Sequence, residues 1–153
     1  MDQITPETVA FAFLWYFAFL FSTTCHEASH ALAARLGGDN TAYHGGQLTL
    51  NPLPHIEREP MGMVIVPLAS YFIFGWVVGW GSAPYDPVWQ HRYPRRAAWM
   101  AMAGPAANLV LMSLAAAAIK AGVSLGHFRH PNVASISGTH GVAEAVKDRK
   151  SVV

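Results

Sequence analysis

Long apolar runs alternate with shorter polar stretches along this chain. The runs cover residues 8–25, 61–81 and 97–119, and none of them contains a charged side chain. Each has about the 20 apolar residues that a helix needs to cross a hydrocarbon core ~30 Å thick. Because only helices satisfy their own backbone hydrogen bonds over such lengths in lipid, the pattern predicts an all-α polytopic membrane protein with three transmembrane helices.

The polar connections predict how these helices are joined. Residues 47–50, QLTL, alternate polar and apolar side chains, which predicts a short strand-like or re-entrant segment between the first two spans. Residues 82–96 contain prolines and show no helical period. We expect one membrane-embedded domain over residues 1–147. Lysines and arginines are divided between the two sides, so the membrane orientation and the oligomeric state stay open.

The composition supports a bilayer rather than a nucleic acid as the surroundings of this chain. Hydrophobic residues make up 52% and charged residues 12% of the sequence, against about 25% charged residues in soluble domains. The net charge is +1, and no basic stripe with interleaved aromatic residues indicates a nucleic-acid partner. The N-terminus lacks the basic region of a secretory signal, so we expect the first apolar run to be retained as a span.

The first apolar run continues into the sequence HEASH, which has the form H-E-x-x-H. Helix positions four apart lie on one face, so His26 and His30 can present both imidazoles to one Zn²⁺ ion. Glu27 is not needed as a ligand and can accept a proton from a water molecule that zinc acidifies. Ionisable residues within a span are costly and rarely lack a role, which favours a zinc site over a chance match.

Four sequence blocks in this order resemble the site-2 protease family of intramembrane zinc metalloproteases, in its compact bacterial form without a PDZ domain. They are HEASHALAARLGG, GQLTLNPLPHIE, FGWVVGWGSAPYDP and YPRRAAWMAMAGPAANLVL, within residues 9–120. The resemblance implies a zinc metalloendopeptidase of the bacterial plasma membrane. It would cleave membrane-anchored proteins in regulated intramembrane proteolysis, with His26 and His30 as zinc ligands and Glu27 as general base.

The same resemblance makes Asn108 a candidate substrate-binding residue. The block AGPAAN corresponds to a family helix that lies against the active site, where Asn108 would hydrogen-bond the substrate backbone or the oxyanion. The alternative is a helix-to-helix hydrogen bond, which contributes about 0.6 kcal/mol on average in membranes. The sequence gives these two interpretations about equal weight.

One element of the family pattern is missing from the apolar runs. Family members take a third zinc ligand from an aspartate in a later span, whereas no aspartate of this chain lies in an apolar run. Residues 148–153, DRKSVV, read like translated adaptor sequence, so we expect a non-native tail on a truncated gene. The chain as given is therefore expected to lack protease activity. A non-catalytic metal-binding membrane protein and an inactive truncated fragment remain the alternatives.

Overall fold

The computed structural model describes residues 5–127, and every regular element in that range is helical. The elements are α1 (Pro6–Leu36), α2 (Thr41–His44), α3 (Leu53–Arg58), a π-helical segment (Met61–Ile65) that continues into α4 (Val66–Phe74), α5 (Pro87–Arg92) and α6 (Pro94–Ser124). The prediction of a helical fold is confirmed for this part of the chain.

Two of these helices, α1 and α6, are long and apolar enough to cross a membrane. The Thr5 side chain caps α1 by accepting a hydrogen bond from the Thr8 N–H at 3.3 Å, and Pro6 occupies the first helical position, where its missing N–H costs nothing. The predicted spans 8–25 and 97–119 lie inside α1 and α6.

The chain divides into two compact units, Met1–Met112 and Ser113–Val153. The described part of the second unit is the end of α6 and the turn that follows it. There the Ser124 hydroxyl donates to the Lys120 carbonyl at 2.9 Å, and Gly126 has a φ of 73°. The first unit contains α1 to α5 and the part of α6 in which the candidate site lies.

The prediction of a transmembrane helix over residues 61–81 is wrong beyond Phe74. The helix ends because Gly75 adopts a left-handed conformation with φ 77°, and its N–H donates to the Tyr71 carbonyl at 2.8 Å. The remaining helical part, Met61–Phe74, is shorter than the about 20 residues that a span requires. No third helix of spanning length occurs among residues 5–127.

The segment after Gly75 instead turns back along α4. Near the start of α1, the Tyr71 hydroxyl donates to the Thr8 carbonyl at 3.1 Å. On the return, the Trp80 N–H donates to the Gly62 carbonyl at 3.1 Å, and Gly81 packs against Glu27 in the second half of α1. Residues 61–82 therefore run along α1 toward its beginning and come back, as a hairpin with one helical and one non-helical leg.

No strand forms at residues 47–50, where a short strand-like or re-entrant segment is predicted. Gln47 is buried, and its N–H donates to the Ala42 carbonyl at 3.0 Å. His55 is also buried, with Nε2 3.1 Å from the Thr49 carbonyl oxygen. These contacts fold residues 47–52 against α2 and α3, so no backbone partner for a strand is available.

The C-terminal end of α1 is packed against α5 and α6. A small cluster of buried apolar side chains joins the three helices, formed by Ala34, Trp89 and Met100. The Trp89 indole N–H donates to the Gly37 carbonyl at 3.0 Å. A Cβ at position 37 would lie 2.7 Å from the Trp89 ring, so glycine is required there for this close approach.

Asp39 fixes the turn that follows α1. Its carboxylate accepts the Thr41 N–H at 2.9 Å and the Asp86 N–H at 2.8 Å, and also the Thr41 hydroxyl. Burial of the group acts to raise its pKa, but these hydrogen bonds prevail and leave the pKa of Asp39 below the usual value. Through Asp86, the carboxylate holds the start of α5 beside the end of α1.

The hairpin predicts that two positions fall on the same side of the membrane. We expect cysteines at Asn40 and Gln90, both exposed, to react with an impermeant maleimide from one side, in a background where Cys25 is replaced by alanine. A full span over residues 61–81 would put them on opposite sides. Labelling of Asn40→Cys and Gln90→Cys from different sides of oriented vesicles would therefore contradict the hairpin.

Candidate metal centre

Helix α1 brings His26 and His30 together on one face. Their ring centroids are 4.7 Å apart, and the ring planes meet at 77°. Both Nε2 atoms converge on the same small space beside Gly104 of α6, where a Cβ would collide with each of them. The structure therefore brings together the two imidazoles that the H-E-x-x-H spacing predicts on one face, with the same ring nitrogens directed at one point.

A backbone carbonyl of α6 fixes the tautomer of His30. The Nδ1 atom of His30 lies 2.7 Å from the Met100 carbonyl oxygen. Because a carbonyl only accepts hydrogen bonds, Nδ1 carries the hydrogen and donates it. In the neutral imidazole, Nε2 then keeps its lone pair, which is the state required of a metal ligand.

Asn108 lies one turn beyond Gly104 on α6. Its Oδ1 accepts a hydrogen bond from the Ser22 hydroxyl at 3.3 Å, which links α6 to α1. The Nδ1 atom of His26 is buried and has no hydrogen-bond partner among the described residues. Asn108 thus makes the helix-to-helix hydrogen bond that the sequence offered as one alternative, and it does so directly beside the candidate ligand His26.

Glu27 follows His26 and is 6% exposed. The returning leg of the hairpin covers it, since a Cβ at Gly81 would lie 2.8 Å from Glu27 Cγ and 3.1 Å from its Oε1. The titratable side chains close enough to act on it electrostatically are His30, Glu59 and Arg58. The carboxylate is therefore largely removed from solvent and lies among titratable groups.

A short polar network lies beside Glu27 where the hairpin begins and ends. Arg58 Nε donates to the Ser82 hydroxyl at 3.0 Å, and this hydroxyl donates to Glu59 Oε1 at 2.6 Å. The network joins the end of α3 to the returning leg. It holds Ser82, the neighbour of the Gly81 that packs against Glu27.

The donor set fits two of the ligands of a zinc site. Zn²⁺ binds histidine nitrogens, and catalytic sites have three protein ligands and one open position. Residues 5–127 contain no group of three or more histidine, cysteine, aspartate or glutamate side chains placed to hold one ion. His26 and His30 are available as a pair, and a third protein ligand is not found in the described part of the chain.

Comparison with known proteins gives two relatives. The chain is 38% identical over 95 residues to "Putative zinc metalloprotease YwhC" of Bacillus subtilis (strain 168), covering 60% of this chain and 38% of that protein. It is 33% identical over 114 residues to "Putative zinc metalloprotease Rip2" of Mycolicibacterium smegmatis (strain ATCC 700084 / mc(2)155), covering 74% of this chain and 42% of that protein. The resemblance to the site-2 protease family is confirmed.

The chain spans about two fifths of the length of those curated proteins. No family model and no solved structure matches the chain. The names of both relatives support a zinc metalloprotease by family resemblance, and the two apolar helices suggest a membrane protein.

Three participants in the candidate site are not evident from the sequence. They are Gly104, which faces both histidine rings, Gly81, which lies at the end of the predicted span 61–81, and the backbone carbonyl of Met100. Small residues facing an H-E-x-x-H helix are the one signal in the sequence that would have suggested Gly104 and Gly81. The Met100 carbonyl could not be predicted, because every residue has a backbone carbonyl and the sequence does not indicate which one accepts a hydrogen bond.

Proposed function

We propose that this chain forms part of an intramembrane zinc metalloprotease that hydrolyses peptide bonds of membrane-anchored proteins in the bacterial plasma membrane. The observation that carries the proposal is the convergence of His26 Nε2 and His30 Nε2 beside Gly104, with Glu27 next in the chain. This arrangement lies between two apolar helices of spanning length, α1 and α6. Peptide bonds within or beside the bilayer are therefore the substrates that it would reach.

In this proposal His26 and His30 hold zinc through their Nε2 atoms. Zinc, when bound, supplies the positive charge that polarises a substrate carbonyl and acidifies water. The Met100 carbonyl keeps His30 in the correct tautomer and orientation. Asn108, whose Oδ1 accepts the Ser22 hydroxyl, keeps its amide N–H groups available to donate a hydrogen bond to substrate.

Glu27 acts as the general base and then as the general acid. It accepts a proton from the water molecule whose oxygen adds to the substrate carbonyl carbon. When the carbon–nitrogen bond breaks, the same carboxyl returns the proton to the leaving amine, so the step is balanced without a covalent enzyme intermediate. Its burial under Gly81 excludes bulk water from this proton transfer.

The substrate must expose a peptide bond before Glu27 and the two histidines can act on it. A transmembrane helix keeps its carbonyl groups hydrogen-bonded within the helix, so a membrane-anchored substrate has to unwind locally at the site. In the proposed enzyme the site lies close to one end of the spans, because His30 bonds to Met100 near the start of α6. An unwound segment there is close to the polar headgroups, which makes the exposure of its backbone less costly.

The zinc assignment is tested by the metal content of variants. We expect His26→Ala and His30→Ala to lose nearly all bound zinc in the detergent-purified full-length protein, because each removes one of the nitrogen donors. His44→Ala is the matched control, since His44 is exposed on α2 and should leave the zinc content unchanged. Equal zinc in His26→Ala and the unsubstituted protein would overturn the assignment.

A further inference from the structure

A second concave feature lies at the beginning of α6, away from the two histidines. It is a cavity of about 310 Å³ lined by Arg92, Tyr93, Pro94, Arg95 and Arg96. The apolar stretch of α6 starts at the next residue, Ala97. The cavity thus combines three guanidinium groups with the point at which a membrane-length helix begins.

The positive charge in this cavity is not neutralised within the described chain. The guanidinium groups of Arg92 and Arg96 lie 5.6 Å and 4.6 Å from the centre of the Tyr93 ring, and Arg96 also donates to the Gly37 carbonyl at 3.0 Å. None of the three arginines forms an ion pair with a carboxylate of residues 5–127. Three like charges around one concavity focus a positive potential into it.

The neighbouring carboxylates of Asp39 and Asp86 form hydrogen bonds with backbone N–H groups. Asp39 and Asp86 line the neighbouring cleft that also includes Arg92. They accept hydrogen bonds from the backbone N–H groups of residues 41, 86 and 88 instead of pairing with an arginine. No carboxylate of residues 5–127 therefore neutralises the charge at the start of α6.

Several features place the cavity at the level of lipid headgroups. Arginines at the end of an apolar helix extend toward the headgroups, and Tyr and Trp are enriched at the same depth. Tyr93 lines the cavity, and Trp99, one turn further into α6, is 76% exposed. The planar guanidinium group matches phosphate oxygens in a bidentate manner.

We propose that the cavity formed by Arg92, Tyr93, Pro94, Arg95 and Arg96 binds the phosphate of an anionic phospholipid headgroup. The nearest lining residue, Arg96, lies four residues or about 6 Å along the helix from Met100, whose carbonyl holds His30. Because Arg96 donates to the carbonyl of Gly37, the residue that caps α1, a lipid held there also neutralises charge at the junction of α1 and α6.

The test compares lipids that co-purify with the full chain in mild detergent, after incorporation into bilayers of phosphatidylcholine with phosphatidylglycerol. We expect the protein to enrich phosphatidylglycerol, and Arg92→Gln with Arg95→Gln to reduce this enrichment. The reduction should be about fivefold for each arginine, the factor that corresponds to ~1 kcal/mol per basic residue near an anionic surface. Arg95→Lys keeps a charge and should retain most of the enrichment.

Arg35→Gln is the matched control. Arg35 lies in the last turn of α1, and its guanidinium carbon is 3.7 Å from the centre of the Tyr43 ring, but it does not line the cavity. An equal loss of phosphatidylglycerol in Arg35→Gln would overturn the site in favour of general surface charge, and so would the absence of any enrichment. Inorganic phosphate added to the delipidated protein distinguishes the two sources of phosphate. Saturable binding of inorganic phosphate that is abolished in Arg92→Gln with Arg95→Gln, without phosphatidylglycerol enrichment, would overturn the assignment to lipid.

Discussion

Replacing Glu27 by glutamine is expected to abolish peptide-bond cleavage while leaving zinc bound. Glutamine has nearly the same shape as glutamate but cannot accept the proton of the attacking water, and loss of a general base costs about 10²- to 10⁴-fold in rate. The two histidine Nε2 atoms beside Gly104 are untouched by the change. The measurement is the turnover of a reconstituted membrane-anchored substrate by the full-length protein, with the zinc content determined on the same preparation.

Glu57→Gln serves as the control for this experiment. Glu57 lies on α3 with an exposed side chain, so the substitution removes the same charge without reaching the site, and cleavage should be unchanged. Substantial activity in Glu27→Gln would remove Glu27 as the base. If the unsubstituted full-length protein binds zinc but cleaves no membrane-anchored substrate, the non-catalytic metal-binding alternative is favoured over the protease.

The parts of the site that could be predicted from sequence are those that depend on one helix. The apolar run before Cys25 and the absence of a helix breaker up to Leu36 predict a continuous helix, and α1 spans both regions. On that helix, the separation of His26 and His30 sets their common face without reference to any other part of the chain. Local periodicity therefore sufficed for the two imidazoles and for the position of Glu27 beside them.

The hairpin at residues 61–82 could not be predicted from the sequence. The same run of apolar residues is compatible with a transmembrane helix and with a hairpin. A glycine within an apolar run is compatible with a transmembrane helix, and Gly75 shows no difference in sequence from such a residue. Its left-handed conformation is accompanied by contacts across the chain, including Val78 N–H with the Ser70 hydroxyl at 2.9 Å and Trp80 with Gly62. The hydropathy of residues 61–81 indicates an apolar environment but does not distinguish a transmembrane helix from a hairpin.

The role of Gly104 also depends on tertiary contacts. A glycine followed by Pro105 in an apolar helix predicts close helix packing and a kink, and α6 continues through Pro105 to Ser124. The neighbour against which Gly104 packs is the pair of histidine rings, separated from it by more than a span of sequence. One residue type thus permits the approach of two helices and leaves space at the ends of both imidazoles.

Gly104→Ala is therefore expected to lower zinc affinity by about 10- to 100-fold or more, the range found when groups around metal ligands are altered. The added methyl group would collide with Nε2 of both His26 and His30, the atoms proposed to bind zinc. The His30 ring is not free to move away without cost, because its Nδ1 is bonded to the Met100 carbonyl. The measurement is a zinc titration of the full-length protein in detergent, with cleavage followed in parallel.

The sign of the stability change separates this effect from general unfolding. Alanine has a higher helix propensity than glycine by about 1 kcal/mol, so the substitution adds a favourable term to α6 and the zinc-free protein should keep its helical content. Gly45→Ala is the control, since Gly45 has φ −73° and an added Cβ would meet its nearest atoms at 3.5 Å, an ordinary contact. Gly45→Ala should bind zinc like the unsubstituted protein. Unchanged zinc affinity in Gly104→Ala would show that the ion is not held in the space between Gly104 and the two Nε2 atoms, and the proposed metal centre would then be wrong.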